Sequence, residues 1–442
     1  ADPSHNQKGK RMKTLKNALL VVSAVSGIGL ASTPAAAVNI ILRPDSTFSN
    51  SPNGAAALFA FQKAANYWNQ TLSGASGMQN ININVSFASL APNILGSTRS
   101  YAYDVSAASV YQSLAANAGG ALDASAVNSL VPLTAAGGIG YRRAPGLDGT
   151  LTGGGLNITT GSVFDNNDSY NNRYLYANGA NLKALGYDVG NSAIDANITF
   201  SSNFAFDFDP TDGISVGTED FTAVAVHELG HALGFVSGSD YYDYYGGKGP
   251  GAGETGINWD NESVLSVLDL FRRSANGGAS GFDPATGERY IQLDPNRNAL
   301  FTVDGVNPFN GDGSYSQFAT GRYNGDGDQT SHWKEGTGYY DQNNCFIPSP
   351  QQVGVMDPSS GYCQLGIVTS NDLAAFDAIG YNLKFDILKN KGYEFSSADI
   401  FRLAGLAGVP EPSTWAMMIM GFGFIGGAMR SNARKTKVRF AA

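Results

Sequence analysis

His227-Glu228-Leu229-Gly230-His231 places two imidazoles four residues apart, with a carboxylate between them. On a helix, residues i and i+4 share a face with Cβ atoms roughly 5–6 Å apart, so both rings can reach one ion about 2 Å from each nitrogen. Glu228 stands about 100° further round the helix, close enough to touch a water beside that ion without ligating it. Two ligands and a general base on one turn of helix are the equipment of metal-assisted hydrolysis. A helix carrying two satisfied surface histidines is the competing reading. Gly230 costs roughly 1 kcal/mol against Ala inside a helix. That cost makes sense if something must pass close to the backbone there.

A catalytic zinc takes three protein ligands and keeps one position open. The chain contains four histidines: His5, His227, His231 and His332. His5 precedes an export signal, so if the third ligand is a histidine it has to be His332. Two oxygen donors compete for the place, Asp240 and the Glu262 of Asn261-Glu262-Ser263. Glu262 reads more simply as a surface acid opening an apolar helical run from Val264 to Phe271. Asn324-Gly325-Asp326-Gly327-Asp328 forms an oxygen-rich turn of the kind calcium takes, with Asp326 and Asp328 as candidate ligands. Asp207, Asp209 and Asp212 form a second acidic group, and solvated turns explain both groups equally.

The elements that must hold these residues are legible in outline. Asp220 to Gly234 has an N-cap candidate, an apolar run and a terminating glycine, and predicts one helix. Ala55 to Leu72 carries apolar residues at helical spacing. Ser370 to Gly380 reads as a third helix, starting at Ser370 or Asn371. Asn82 to Phe87 and Asn197 to Phe208 alternate as strands, and the strand ending near Phe208 is the expected partner for an extended substrate. From Ser237 to Gly338 the glycine, Asn, Asp and Ser content predicts irregular structure. The expected fold class is α+β: a mixed twisted sheet with a backing helix and an active-site helix, followed by a loop-rich C-terminal subdomain.

Lys and Arg total 28 against 37 acids. The bases concentrate at the two ends, so between residues 38 and 409 there are 18 bases and 35 acids. Such a surface repels phosphate backbones and excludes nucleic acid as a natural partner. Met12 to Ala37 reads as a secretory signal: Lys13 and Lys16, an apolar run from Ala18 to Leu30, then Ala35-Ala36-Ala37. The mature chain would begin at Val38, behind leader residues 1–11 whose Ala1-Asp2-Pro3 looks like a cloning remnant. An exported chain makes a structural disulfide the better reading of Cys345 and Cys363.

Val409-Pro410-Glu411-Pro412-Ser413-Thr414-Trp415, continuing through an apolar stretch to Arg430 and a basic tail, resembles the PEP-CTERM sorting signal. The resemblance implies cleavage by an exosortase-type enzyme and a Gram-negative cell surface or extracellular destination. The only membrane contact expected is through this tail, a transmembrane segment with its positive side inward.

His227 to Gly234, HELGHALG, resembles the metzincin zinc metallopeptidases. Their usual pattern puts a third histidine three residues after the glycine, where this chain has Ser237. The leishmanolysin-like branch inserts a long segment before that histidine, and Ser331-His332-Trp333 followed by Gly354-Val355-Met356-Asp357-Pro358 is similar to its arrangement. The resemblance implies zinc on His227, His231 and His332, a zinc-activated water with Glu228 as general base, and Met356 as the Met-turn residue beneath the metal. Position 358 is Pro, so a tyrosine ligand two residues after the methionine has no candidate. Cys345 and Cys363 straddle Met356 and could pin the turn.

The expected activity is therefore a secreted zinc metalloendopeptidase acting on protein or peptide substrates. The catalytic domain would span 38–385, divided at 234/235, with a linker over 386–408 and the sorting signal over 409–442. A non-catalytic surface or exopolysaccharide-matrix protein with a structural zinc is the rival. A glycan-binding role rests only on Tyr241-Tyr242-Asp243-Tyr244-Tyr245, aromatics that also suit packing.

Overall fold

The computed structural model describes residues 35–403, apart from 148–149, 151–154, 159–160, 255, 276–288 and 349–351. The signal segment up to Pro34 and the sorting signal lie outside the described residues.

Alternation of apolar and polar residues builds the two inner strands of the central sheet. Its strands are β1 (Ile40–Pro44), β2 (Ile81–Ala88), β3 (Gly96–Ser100) and β4 (Ile194–Ser201), in the order β1-β2-β4-β3. β1 and β4 run parallel to β2, and β3 is antiparallel to β4, pairing Ala196 with Ser100 and Thr199 with Ser97. Ile81, Ile83 and Val85 of β2 and Ala196, Ile198 and Phe200 of β4 are buried. The intervening residues pair on the other face through Asn84–Asn197 and Ser86–Thr199 hydrogen bonds. One face thus builds the core and the other meets water.

Two helices cover the apolar face. α1 (Gly54–Thr71) buries Ala57, Ala60, Phe61, Ala64, Ala65 and Trp68. Of the face expected from the spacing, Leu58, Phe59, Phe61, Ala65 and Trp68, the structure buries the last three, whereas Phe59 is 50 % exposed and packs on Phe401 instead. α2 (Phe221–Leu233) is capped by the Asp220 carboxylate, which accepts the Ala223 N–H, and ends at Gly234 with φ 121°. The Trp68 indole donates to the Val226 carbonyl at 3.2 Å, fastening the helices together.

The expected strand from Asn197 to Phe208 is two pieces. β4 stops at Ser201, a turn follows, and Phe206–Asp207 then pairs with Glu219–Asp220. The Asn203 amide, bonded to the Leu90 carbonyl at 2.9 Å, holds that turn. Phe206 and Phe208 pack on Phe221 at the start of α2, which is why both are apolar. Beyond α2 the chain is loop-rich, as its composition predicts. The apolar run from Val264 forms only a short 3-10 turn, Leu268–Phe271, because Ser266 is tied to the Val236 carbonyl and to Asp269 instead of winding into a helix. Glu262 accordingly follows a 3-10 turn, Trp259–Asn261, and starts no helix.

α3 (Ser370–Ala378) takes Thr369 as its N-cap, with Asp372 completing a capping box. The expected linker from 386 is folded over its first part: Glu394–Ser396 pairs with Ile367–Thr369, and the helix Ser397–Arg402 closes the compact unit.

Candidate metal centre

α2 carries His227 and His231 on its cleft face, and the long excursion after it returns His332 against them. The three Nε2 atoms lie 3.0 Å (His227–His231), 3.1 Å (His231–His332) and 3.3 Å (His227–His332) apart. Each ring is turned by a backbone carbonyl facing its other nitrogen. His227 Nδ1 donates to Val355 O at 2.7 Å, His231 Nδ1 to Phe235 O at 2.8 Å, and His332 Nδ1 to Gln329 O at 3.1 Å. That tautomer leaves three lone pairs pointing at one spot, an arrangement that repels itself unless a cation sits between them. Burial holds His227 down to about 4; burial and the His227 ring hold His231 down to about 3. His332 lies well below the ordinary range for the same reasons. The rings are therefore neutral near pH 7 and able to act as ligands. Among the described residues these three form the one His/Cys/Asp/Glu group able to hold a metal.

Glu228 lies alongside, 5 % exposed, its carboxyl pushed up to about 7 by burial while the Thr98 hydroxyl opposes the shift. Thr98, on β3, donates to Glu228 Oε2 at 2.6 Å. Gly96 makes room for the same carboxylate, since a Cβ there would fall 2.4 Å from Oε1. The edge strand over the site is therefore β3, while Phe208, at the end of the other expected strand, packs on Phe221. A cleft of about 2520 Å³ runs past β3, α2 and the triad.

Met356 is fully buried beneath α2, and a Cβ on Gly230 would meet its Sδ at 2.3 Å. The glycine inside the helix is explained by this sulfur. Cys345 and Cys363 are disulfide-bonded and enclose the turn.

Several positioning groups carry no motif. Asp372 is fully buried beneath the Met356 turn. Its carboxylate accepts Val355 N–H (2.9 Å), Met356 N–H (3.2 Å), Thr369 N–H (2.8 Å) and the Trp333 indole (2.8 Å). Asp240 is no metal ligand: it accepts Thr330 N–H at 2.6 Å and also bonds Ser331, so it secures the loop bearing His332. Ser237 likewise bonds that loop, its N–H donating to Ser331 Oγ at 2.9 Å. Arg272, fully buried on the Phe318 ring, donates to the Thr330 and Ala319 carbonyls. Asn178 donates to His231 O at 2.9 Å. The spacing of Thr369 and Asp372 as a capping box was the one signal in this set.

The other candidates lie apart. Glu262 lines the far cleft wall with Asp104. The Asp326 carboxylate accepts the Thr320 N–H, and burial together with Asp326 and Glu335 pushes Asp328 up to about 6, but among the described residues no third ligand atom comes close enough to complete a metal-holding group. Asp207 and Asp209 bond Ser215 and Thr211 in local turns. Tyr241, Tyr242 and Tyr245 pack round Trp259, with ring centroids 5.4–5.9 Å from it.

A family model for the PEP-CTERM protein-sorting motif matches residues 408–435. The motif marks the chain for export to the cell surface of a Gram-negative bacterium and for exosortase-type processing. No curated protein and no solved structure matches the chain. Among the described residues, no helix is long and apolar enough to cross a membrane.

Proposed function

We propose that the chain is an exported zinc-dependent endopeptidase, similar to metzincins of the leishmanolysin-like branch in fold, ligand spacing and Met-turn. The observation that carries the reading is the convergence of three neutral imidazoles within 3.3 Å of one another beside a buried glutamate on an open cleft. Three donors rather than four favour a catalytic site over a closed structural one. Nitrogen donors suit zinc better than calcium, which takes oxygens.

His227, His231 and His332 would hold the metal, which when bound supplies Lewis acidity toward a water and a scissile carbonyl. Glu228 takes the proton of the attacking water and delivers it to the leaving amine. Thr98 orients that carboxylate. β3 lies at the sheet edge beside the cleft, where its backbone N–H and C=O groups can pair with an extended polypeptide. The burial that raises Glu228 also fits a base working near neutral pH.

The test is metal analysis with chelator-sensitive casein hydrolysis on wild type, Glu228→Ala and His332→Ala. Glu228→Ala keeps about one zinc per chain and loses at least a hundredfold in activity; His332→Ala loses both. Hydrolysis surviving in Glu228→Ala removes Glu228 from the mechanism.

A further inference from the structure

Glu219 stands at the N-terminal end of α2, one residue before the cap, and lines the same cleft as the three histidines. It is 5 % exposed, and its Oε2 is buried without a hydrogen-bond partner. Among the described residues no ion pair reaches it. Capping does not account for it, because Asp220 serves the helix terminus. Burial, then repulsion by Asp220, pushes its carboxyl up to about 7. A buried acid with neither donor nor counter-ion is held at a free-energy cost, which a partner arriving from outside would relieve.

The walls around it limit what that partner can be. Ala223 and Val224 of α2 and Ile367, whose neighbour Gly366 donates to Asp220, line the same cleft and are apolar. The Tyr340 hydroxyl, on a side chain 53 % exposed, is raised by burial and by the Glu219 charge, so its ring shares the neighbourhood of the acid, and the Tyr362 ring centroid lies 6.5 Å from that of Tyr340. Apolar and aromatic sides accept a methylene stem and a delocalised or ammonium head, while the acid at the end accepts its charge. Neutral side chains would leave the carboxylate unpaired, and acidic ones would be repelled.

Resting on the endopeptidase reading, we propose that Glu219 is the specificity-determining residue of a subsite taking a cationic side chain, Lys or Arg, of the polypeptide substrate. A metal ion is a poorer occupant, since among the described residues no group of three ligand residues includes Glu219.

Two measurements on the full chain test this separately from catalysis. In the Glu228→Ala background, Nα-acetyl-arginine amide should bind at least tenfold more tightly than its neutral isostere Nα-acetyl-citrulline amide by calorimetry, and Glu219→Gln should abolish the difference. Equal affinity for the two, or a difference that persists in Glu219→Gln, overturns the proposal. In the active chain, mass-spectrometric mapping of casein cleavage should find Lys or Arg enriched at one fixed position beside the cut. Glu219→Gln should lower kcat/KM at least tenfold for a Lys peptide and leave its norleucine counterpart unchanged. Cleavage without such enrichment sinks the subsite and spares the protease. Arginine-selective binding without any cleavage does the reverse.

Discussion

Replacing Gly230 by Ala would ordinarily stabilise a helix by about 1 kcal/mol. Here the added Cβ would stand 2.3 Å from Met356 Sδ, 3.0 Å from its Cε and 3.4 Å from the Phe376 ring. Carbon and sulfur need roughly 3.5–4 Å, so the methionine must retreat by more than about 1 Å. It has little freedom to do so. Its side chain is fully buried, its N–H is held by Asp372, and its carbonyl accepts the Trp333 N–H at 3.0 Å. Overpacking of this kind costs about 1–3 kcal/mol, so Gly230→Ala should destabilise by a net of up to about 2 kcal/mol and weaken metal retention. Removing the obstacle reverses the sign: added to Met356→Ala, the same substitution should stabilise by about 1 kcal/mol relative to Met356→Ala alone. Urea denaturation by circular dichroism, with and without chelator, measures the four corners of this cycle. A Gly230→Ala chain more stable than wild type, or a coupling near zero, refutes the account of the helix glycine.

Thr98→Val should leave zinc content intact and lower kcat by about tenfold, because the carboxylate loses its orienting hydroxyl; an unchanged kcat would make Thr98 structural only. Asp372→Asn turns an NH2 toward donors that need an acceptor, and should cost about 2–3 kcal/mol while reducing zinc affinity, readable by denaturation and competition with a chelating dye. Asp123 and Asp377 are buried against each other, with burial the main cause raising both, Asp123 to about 6. Folded-state values above the unfolded ones mean that their stability contribution is full below about pH 4 and lost as pH rises through about 6. Asp377→Asn keeps an acceptor for the Leu383 N–H and should gain on the order of 1–2 kcal/mol at pH 8 and nothing at pH 4. Melting curves that shift equally at both pH values would exclude a titrating pair.

How much of this was legible follows from which interactions leave a local trace. His227, Glu228, His231 and the glycines at 230 and 234 announce themselves because helix geometry fixes their relations within eight residues. His332 was reachable by elimination among four histidines, and Met356 through a resemblance. β3 was missed because Gly-Ser-Thr-Arg-Ser shows no apolar alternation, as suits an edge strand whose side chains face solvent and cleft. The apolar run from Val264 deceived for the opposite reason: burial made it apolar, and Asp269 made it irregular.

The same distinction explains where the free energy for the site must come from. Three imidazole lone pairs held near 3 Å in a buried setting oppose one another, so local helix geometry alone would let His332 withdraw. What returns it is a set of distant polar anchors, Asp240 on the Thr330 and Ser331 amides, Arg272 on the Thr330 carbonyl and Asp372 on the Trp333 indole. Arg272 and Asp372 are fully buried and Asp240 is half-buried, and their hydrogen bonds would be lost if the loop moved away. His332 is therefore preorganised by hydrogen bonds that span the excursion rather than by any feature of its own neighbourhood. Substitution of these anchors should weaken metal retention before it unfolds the sheet.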